Sequence, residues 1–225
     1  MIKFSKIWDI LITKFPVFME GVGVTLQLAF FTVLFGSLLG LVVAVFRRTR
    51  IWPLRWIMNA YVAFIRGTPL LVQVLLVVYG LPQLGVRMPR MSLCVIALVV
   101  NSGAYMAELI RAGLQSVERG QVEAAESLGM TSIQCMLHII LPQAIKVTLP
   151  AMGNEFVAII KESSILYAVG VYELTYQAYK LASVNYFYIE TLIVAALIYF
   201  VLTYAATGLL KLLERRMRRG DNKIV

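Results

Sequence analysis

The sequence predicts an all-α integral membrane protein with about five transmembrane helices, an outer N-terminus and a cytoplasmic C-terminus. Three observations predict it. First, 60% of the 225 residues are hydrophobic and only 15% are charged, too apolar for a soluble domain of this length. Second, Gly23 to Phe46 carries no charged residue. As a helix that stretch measures about 36 Å, enough to cross a hydrocarbon core of about 30 Å. Third, basic residues gather beside apolar stretches. The net charge of +9 therefore speaks for orientation in a membrane and against nucleic acid as a partner. No linker, low-complexity run or repeat divides the chain, so 1–225 reads as one transmembrane domain.

The N-terminal stretch "FSKIWDILITKFPVFMEG" does not read as a signal peptide, because Lys14, Pro16 and Glu20 interrupt any apolar core. Residues 1–21 read instead as an amphipathic helix lying against membrane lipid, with Trp8 as its anchor. Span one is Gly23–Phe46. Span two runs from about Asn59 to Leu81 and carries Arg66 and Pro69. Span three runs from about Met91 to Ile110. Residues 118–142 form a polar insert. Span four starts near Pro142 and continues past Glu155 toward Lys161. The apolar piece Ser163–Val171 either extends span four or forms a separate outer segment. Span five runs from about Tyr188 to Leu210.

Orientation follows from charge. Arg47, Arg48, Arg50 and Arg55 lie between spans one and two with no acid among them. The tail carries Lys211, Arg215, Arg216, Arg218, Arg219 and Lys223 against Glu214 and Asp221. Both regions are expected to be cytoplasmic. Lys3, Lys6 and Lys14 run against this pattern, with Asp9 and Glu20 as partial balance.

Catalytic chemistry finds little support. His138 is the only histidine, so no histidine-based metal cluster is expected. Cys94 and Cys135 fall at different depths and lack metal spacing. No phosphate-binding loop sequence is present.

The insert, "EAAESLGMTSIQCMLHIILP", has its own local logic. Glu118–Leu128 is rich in helix formers. Gly129 suits the left-handed position after a helix end. Thr131 with Gln134 has the spacing of a capping box that opens a second helix. Pro142 is expected to end that helix. Such a compact projection suits docking into another protein; an ordinary loop is the alternative.

Polar residues also lie deep in the spans. At the helical rise, Arg66 falls at about 10 Å and Thr68 at about 14 Å from the cytoplasmic end of span two. Asn101 and Ser102 fall at about 15–17 Å in span three, and Glu155 at about 20 Å in span four. Groups from three helices thus converge near mid-membrane, where a charge is costly and must face protein or a watery cavity. In "RGTP", Pro69 gives no hydrogen bond and Gly67 permits a bend, so the helix is expected to open toward a ligand. Arg66, Gly67, Thr68, Ser102, Tyr105 and Glu155 are the candidate substrate-binding residues. The competing reading is a structural Arg66–Glu155 ion pair. Lys161 and Glu162 read as a pair near the outer interface, and Gly36 and Gly40 as helix-packing residues.

The pattern Glu123-Ala124-Ala125, Gly129, Ile139, Leu141-Pro142 resembles the EAA motif of permease subunits of ABC importers, with agreement at every named position. "FIRGTPLLVQ", "NSGAYMAELIRAG" and "LPAMGNEFVAIIKESS" resemble the polar amino-acid branch of that family. The resemblance covers nearly the whole chain. It implies a type I importer fold in a bacterial cytoplasmic membrane, and a transport subunit that is not itself an enzyme. Glu123, Ala124, Ala125 and Gly129 would form the joint with an ABC ATPase. The chain would hold no cofactor; ATP and Mg would be bound by the ATPase dimer. A second permease subunit, identical or homologous, and an extracytoplasmic substrate-binding protein would complete the assembly. Glu155 makes basic amino acids the first expectation, with glutamine, histidine and cystine open. An ion-coupled secondary transporter and a non-transporting scaffold are the alternatives from other classes.

Overall fold

In the computed structural model, which describes residues 3–218, the described chain is helical and has no strand. Tail residues Arg219, Asp221 and Lys223 lie outside the described residues. Helix α1 spans Phe4–Thr13 and α2 spans Phe15–Arg47. The boundary falls at Lys14, with Pro16 in the first turn of α2. Proline is tolerated there because the N–H it lacks has no intrahelical partner anyway. Residues 15–21, read from sequence as part of an N-terminal surface helix, are thus the start of the long first span. Ile10 of α1 is buried in a cluster with Phe18 and Leu174, and Trp8 is exposed.

Span two is broken. Helix α3 covers Trp52–Gly67 and α4 covers Leu70–Gln83, and the two meet at 112°. The break sits at Thr68, which is extended (φ −120°, ψ 149°), and Pro69 (φ −66°, ψ 137°). Proline's ring disfavours helical geometry in the residue before it. Gly67 itself stays helical, so the bend does not draw on glycine's freedom as the sequence had suggested. A Cβ there would meet nothing within 4 Å.

Helix α5 spans Arg90–Gln115, α6 Arg119–Ser127 and α7 Ser132–Val169. Helix α8 spans Leu174–Asn185 and α9 Tyr188–Arg218. Helices α2, α5, α7 and α9 are long and apolar enough to cross a membrane, and α3 with α4 makes up to five. Pro142 does not end a helix. It lies inside α7, directly after a wide π turn at Met136–Ile140. The same arrangement recurs in α4, where a π turn at Leu76–Gly80 precedes Leu81-Pro82. The wide turn shifts the hydrogen-bond register where proline cannot donate, so the helix continues. Ser163–Val169 is a 3₁₀ continuation of α7, stopped by Gly170 at φ +74°. The apolar piece after Glu162 is therefore an extension of span four.

Helices α2 and α5 form the central pair. A Cβ on Gly40 would lie 2.5 Å from Met106 Cβ and 2.9 Å from Ala107 N, and one on Gly36 2.9 Å from Ser102 Oγ. Only glycine lets the two backbones approach so closely. Gly40→Leu is expected to cost at least about 1–3 kcal/mol by overpacking, whereas Gly67→Ala should be neutral. Thermal unfolding of the purified variants in detergent checks both. Equal midpoints for Gly40→Leu and wild type would contradict the packing role.

At the other end of the bundle, Glu173 caps α8. Its buried carboxylate accepts from Thr175 N at 2.9 Å, Tyr176 N at 2.7 Å and the Tyr199 hydroxyl at 2.7 Å. The cap ties α8 to α9 and fixes one wall of the cavity described below.

Candidate functional site: an intramembrane cavity and a helical insert

A cavity of about 610 Å³ opens where the broken span meets α5, the end of α7, α8 and α9. Thr68, Asn101, Tyr105, Glu162, Thr175 and Tyr199 supply its polar and aromatic wall. The break creates this wall and also a local problem. Carbonyls that a continuous helix would satisfy lose their donors at Pro69. Buried Gln73 replaces them. Its Nε2 donates to Ile65 O at 2.8 Å, Thr68 O at 3.1 Å and Thr68 Oγ1 at 2.9 Å. Its Oε1 accepts from Asn101 Nδ2 at 3.0 Å. One glutamine thus stitches the break and anchors it to α5.

Of the residues expected at the site, Thr68 and Tyr105 line the cavity. Gly67, Arg66, Ser102 and Glu155 are not in its wall. Ser102 is fully buried where α5 packs against Gly36 of α2. Glu155 is half-buried on α7. Arg66 does not pair with Glu155. It pairs with Glu108 Oε2 at 3.5 Å and lies 5.6 Å over the Tyr105 ring. The estimated depths, about 10 Å for Arg66 and about 20 Å for Glu155, already set the two about 10 Å apart across the membrane. Glu162, read as the partner of Lys161, lines the cavity.

Sequence reasoning missed three functional candidates: Gln73, Asn101 as its partner, and Glu108. Glu108 gathers Arg47, Arg66 and Arg111. The signal was present. Glu108 is an acid inside the expected third span, and an intramembrane acid asks for named partners.

The insert at the opposite end follows its local rules closely. Gly129 adopts φ +82°. Its N–H donates to Glu126 O at 2.9 Å and Met130 N–H donates to Ala125 O at 3.1 Å. This is the paired closure of a Schellman turn. Thr131 and Gln134 form the capping box in both directions. Glu123 and Ala124 are exposed. Ala125 is buried within the insert, where its small side chain packs. The exposed apolar tips are Leu128, 85% exposed, and Ile133, 72% exposed. Gln143 at the foot of span four donates to Gln121 at 2.6 Å. With Pro142 inside an unbroken α7, the insert is joined to span four as one lever.

A membrane bundle with a broken span over an open, largely apolar cavity that carries a few polar groups, and an apolar-tipped lever outside it, has the working parts of a transport permease. The chain matches the family described as "Binding-protein-dependent transport system inner membrane component" over residues 17–219, and it belongs to that family. It is thus a multi-pass membrane subunit of an ABC importer, with ATP hydrolysis on a separate subunit.

Among curated relatives, it is 44% identical over 212 residues to the probable glutamine ABC transporter permease protein GlnM of Bacillus subtilis (strain 168), covering 94% of this chain and 98% of that one. It is 37% identical over 211 residues to the arginine transport system permease protein ArtQ of the same organism, covering 93% and 96%. Among solved structures, it is similar to a chain from the crystal structure of an amino acid ABC transporter with histidines. There the TM-score is 0.90 at 46% identity, over 96% of this chain and 99% of that one. A chain of the MetNI methionine ABC transporter shares the fold, with a TM-score of 0.73 at 22% identity over 89% and 96%.

Proposed function

We propose that the chain passes a polar amino acid, preferentially a basic one, through a bacterial inner membrane as the permease subunit of an ATP-driven importer. The observation that carries this reading is the cavity of about 610 Å³ with the Glu162 carboxylate in its wall beside the opened helix. That volume is in the range of small-molecule sites. Thr68 and the backbone at the break offer hydrogen bonds to a substrate carboxylate. Glu162 offers a charge partner to a cationic side chain, and Glu155 stands further back on the same helix. The relatives named for arginine and glutamine support the amino-acid class.

The partners in this proposal are a Mg-ATP-binding ATPase dimer, a second permease subunit and an extracytoplasmic binding protein. The insert docks on the ATPase through Glu123, Ala124 and Leu128, with Gly129 shaping the turn. Closure of the ATPase pair then moves insert and span four together, which opens and closes the cavity by rigid-body rocking. The N-terminus lies outside with α1 along the interface, and the insert lies in the cytoplasm. Cysteines placed at Ser5 and Ser132 should label from outside and inside respectively; labelling from one side only would break this orientation.

The substrate reading is tested by ligand-stimulated ATPase activity of the reconstituted complex across a panel of amino acids. Glu162→Gln should weaken arginine and lysine by about one to two decades, the loss of one charge-assisted bond, and glutamine far less. A uniform loss would assign Glu162 to the common ammonium. An unchanged panel would remove it from the site, and the same panel on Glu155→Gln would then decide whether any acid selects the substrate.

A further inference from the structure

We infer that the basic ends of α2 and α5, with Asn59 of α3 beside them, form a binding site for the phosphate headgroup of an anionic phospholipid. A second cavity, of about 330 Å³, lies there, lined by Arg47, Arg48, Asn59, Arg111 and Gln115 among others. Two of its three guanidinium groups, those of Arg47 and Arg111, are held in place. Arg47 Nε donates to Asn59 Oδ1 at 2.7 Å and its Nη1 pairs with Glu108. Arg111 donates to Glu108 Oε2 at 2.8 Å through Nη2 and to Gln115 Oε1 at 2.6 Å through Nη1.

Glu108 is one carboxylate shared by three arginines, since Arg66 also reaches it. Arg48 has no carboxylate partner among the described residues. The cluster therefore carries surplus positive charge, which falls on exposed Arg48 beside the paired Arg47 and Arg111. A guanidinium without a carboxylate partner gains from an anion, and its planar fork matches phosphate oxygens.

The surroundings favour a lipid as the source of that phosphate. Exposed Trp52 and Trp56 at the start of α3 mark the headgroup level. Exposed Val42, Val45 and Phe46 on α2 lead up to Arg48 and offer an apolar track for an acyl chain. A free phosphate would leave that track unused. Basic pockets between spans on the cytoplasmic side suit anionic headgroups.

The test is thermal unfolding of the full chain, purified with its ATPase and delipidated in neutral detergent. Dioleoylphosphatidylglycerol, dioleoylphosphatidylcholine or inorganic phosphate is titrated in. Phosphatidylglycerol should stabilise the wild type saturably. Arg48→Gln should raise the half-saturating concentration about fivefold, the effect of one lost cation near the surface. Arg50→Gln, which removes an equal charge outside the cavity, should leave it unchanged. Equal shifts for the two variants would overturn the site in favour of diffuse surface charge. Equal stabilisation by phosphatidylcholine would overturn the requirement for an anion. Stabilisation by phosphate at the same concentration as the lipid would overturn the lipid assignment.

Discussion

Leu128→Asp is expected to leave insertion and folding intact yet abolish ATP-driven uptake. The side chain is 85% exposed and sits at the tip of the insert, so its replacement disturbs no internal packing. If the insert docks on an ATPase, Leu128 is the apolar anchor. Truncating such an anchor costs about 2–4 kcal/mol, or roughly two decades in affinity. Glu123→Lys, on the exposed face of the same helix, should act in the same direction. Gly129→Val acts differently, because φ +82° is strained for a β-branched residue. It should distort the turn and uncouple hydrolysis from transport even where assembly survives. Co-purification of the ATPase with each variant, followed by uptake in proteoliposomes, separates the cases. Wild-type uptake with Leu128→Asp would remove the insert's tip from the joint.

Gln73→Leu is expected to be the most damaging substitution within the membrane. It deprives Ile65 O and Thr68 O of their donor and leaves Asn101 Nδ2 without its acceptor. Each buried group left unpaired costs about 1–3 kcal/mol. The sum is a large fraction of a membrane domain's stability, and the geometry of the break is lost with it. Asn101→Leu removes one bond of the network and should be milder by at least half. Unfolding midpoints in detergent and uptake rates give the comparison. A Gln73→Leu protein that unfolds with wild type, or an Asn101→Leu protein that is worse, would contradict the stitching role.

What was legible in the sequence was local. The insert could be read residue by residue, because a left-handed glycine, a capping box and a helix-former run act over three or four positions. The break at Thr68-Pro69 was legible for the same reason, though its cause lies in the residue before proline and not in Gly67. Partnerships across the bundle were not legible. Asn101 and Gln73 are 28 positions apart, and Arg47 and Glu108 are 61 apart. Estimated depth had already set Arg66 and Glu155 about 10 Å apart, too far for an ion pair, and Arg66 meets Glu108 instead. Pro142 shows a local rule overridden. A π turn just ahead of it absorbs the missing hydrogen bond, and the expected helix end becomes the middle of a lever.

That lever is the centre of the account: an insert joined through an unbroken helix to a span that walls the cavity. The most direct test is uptake of radiolabelled arginine into proteoliposomes holding the chain, its ATPase and second permease subunit, with binding protein supplied on the substrate side. Uptake should require ATP and should fall when Gln121 and Gln143, which link the insert to span four, are both replaced by alanine. Uptake by the chain alone, driven by an ion gradient without ATP and indifferent to those replacements, would contradict it.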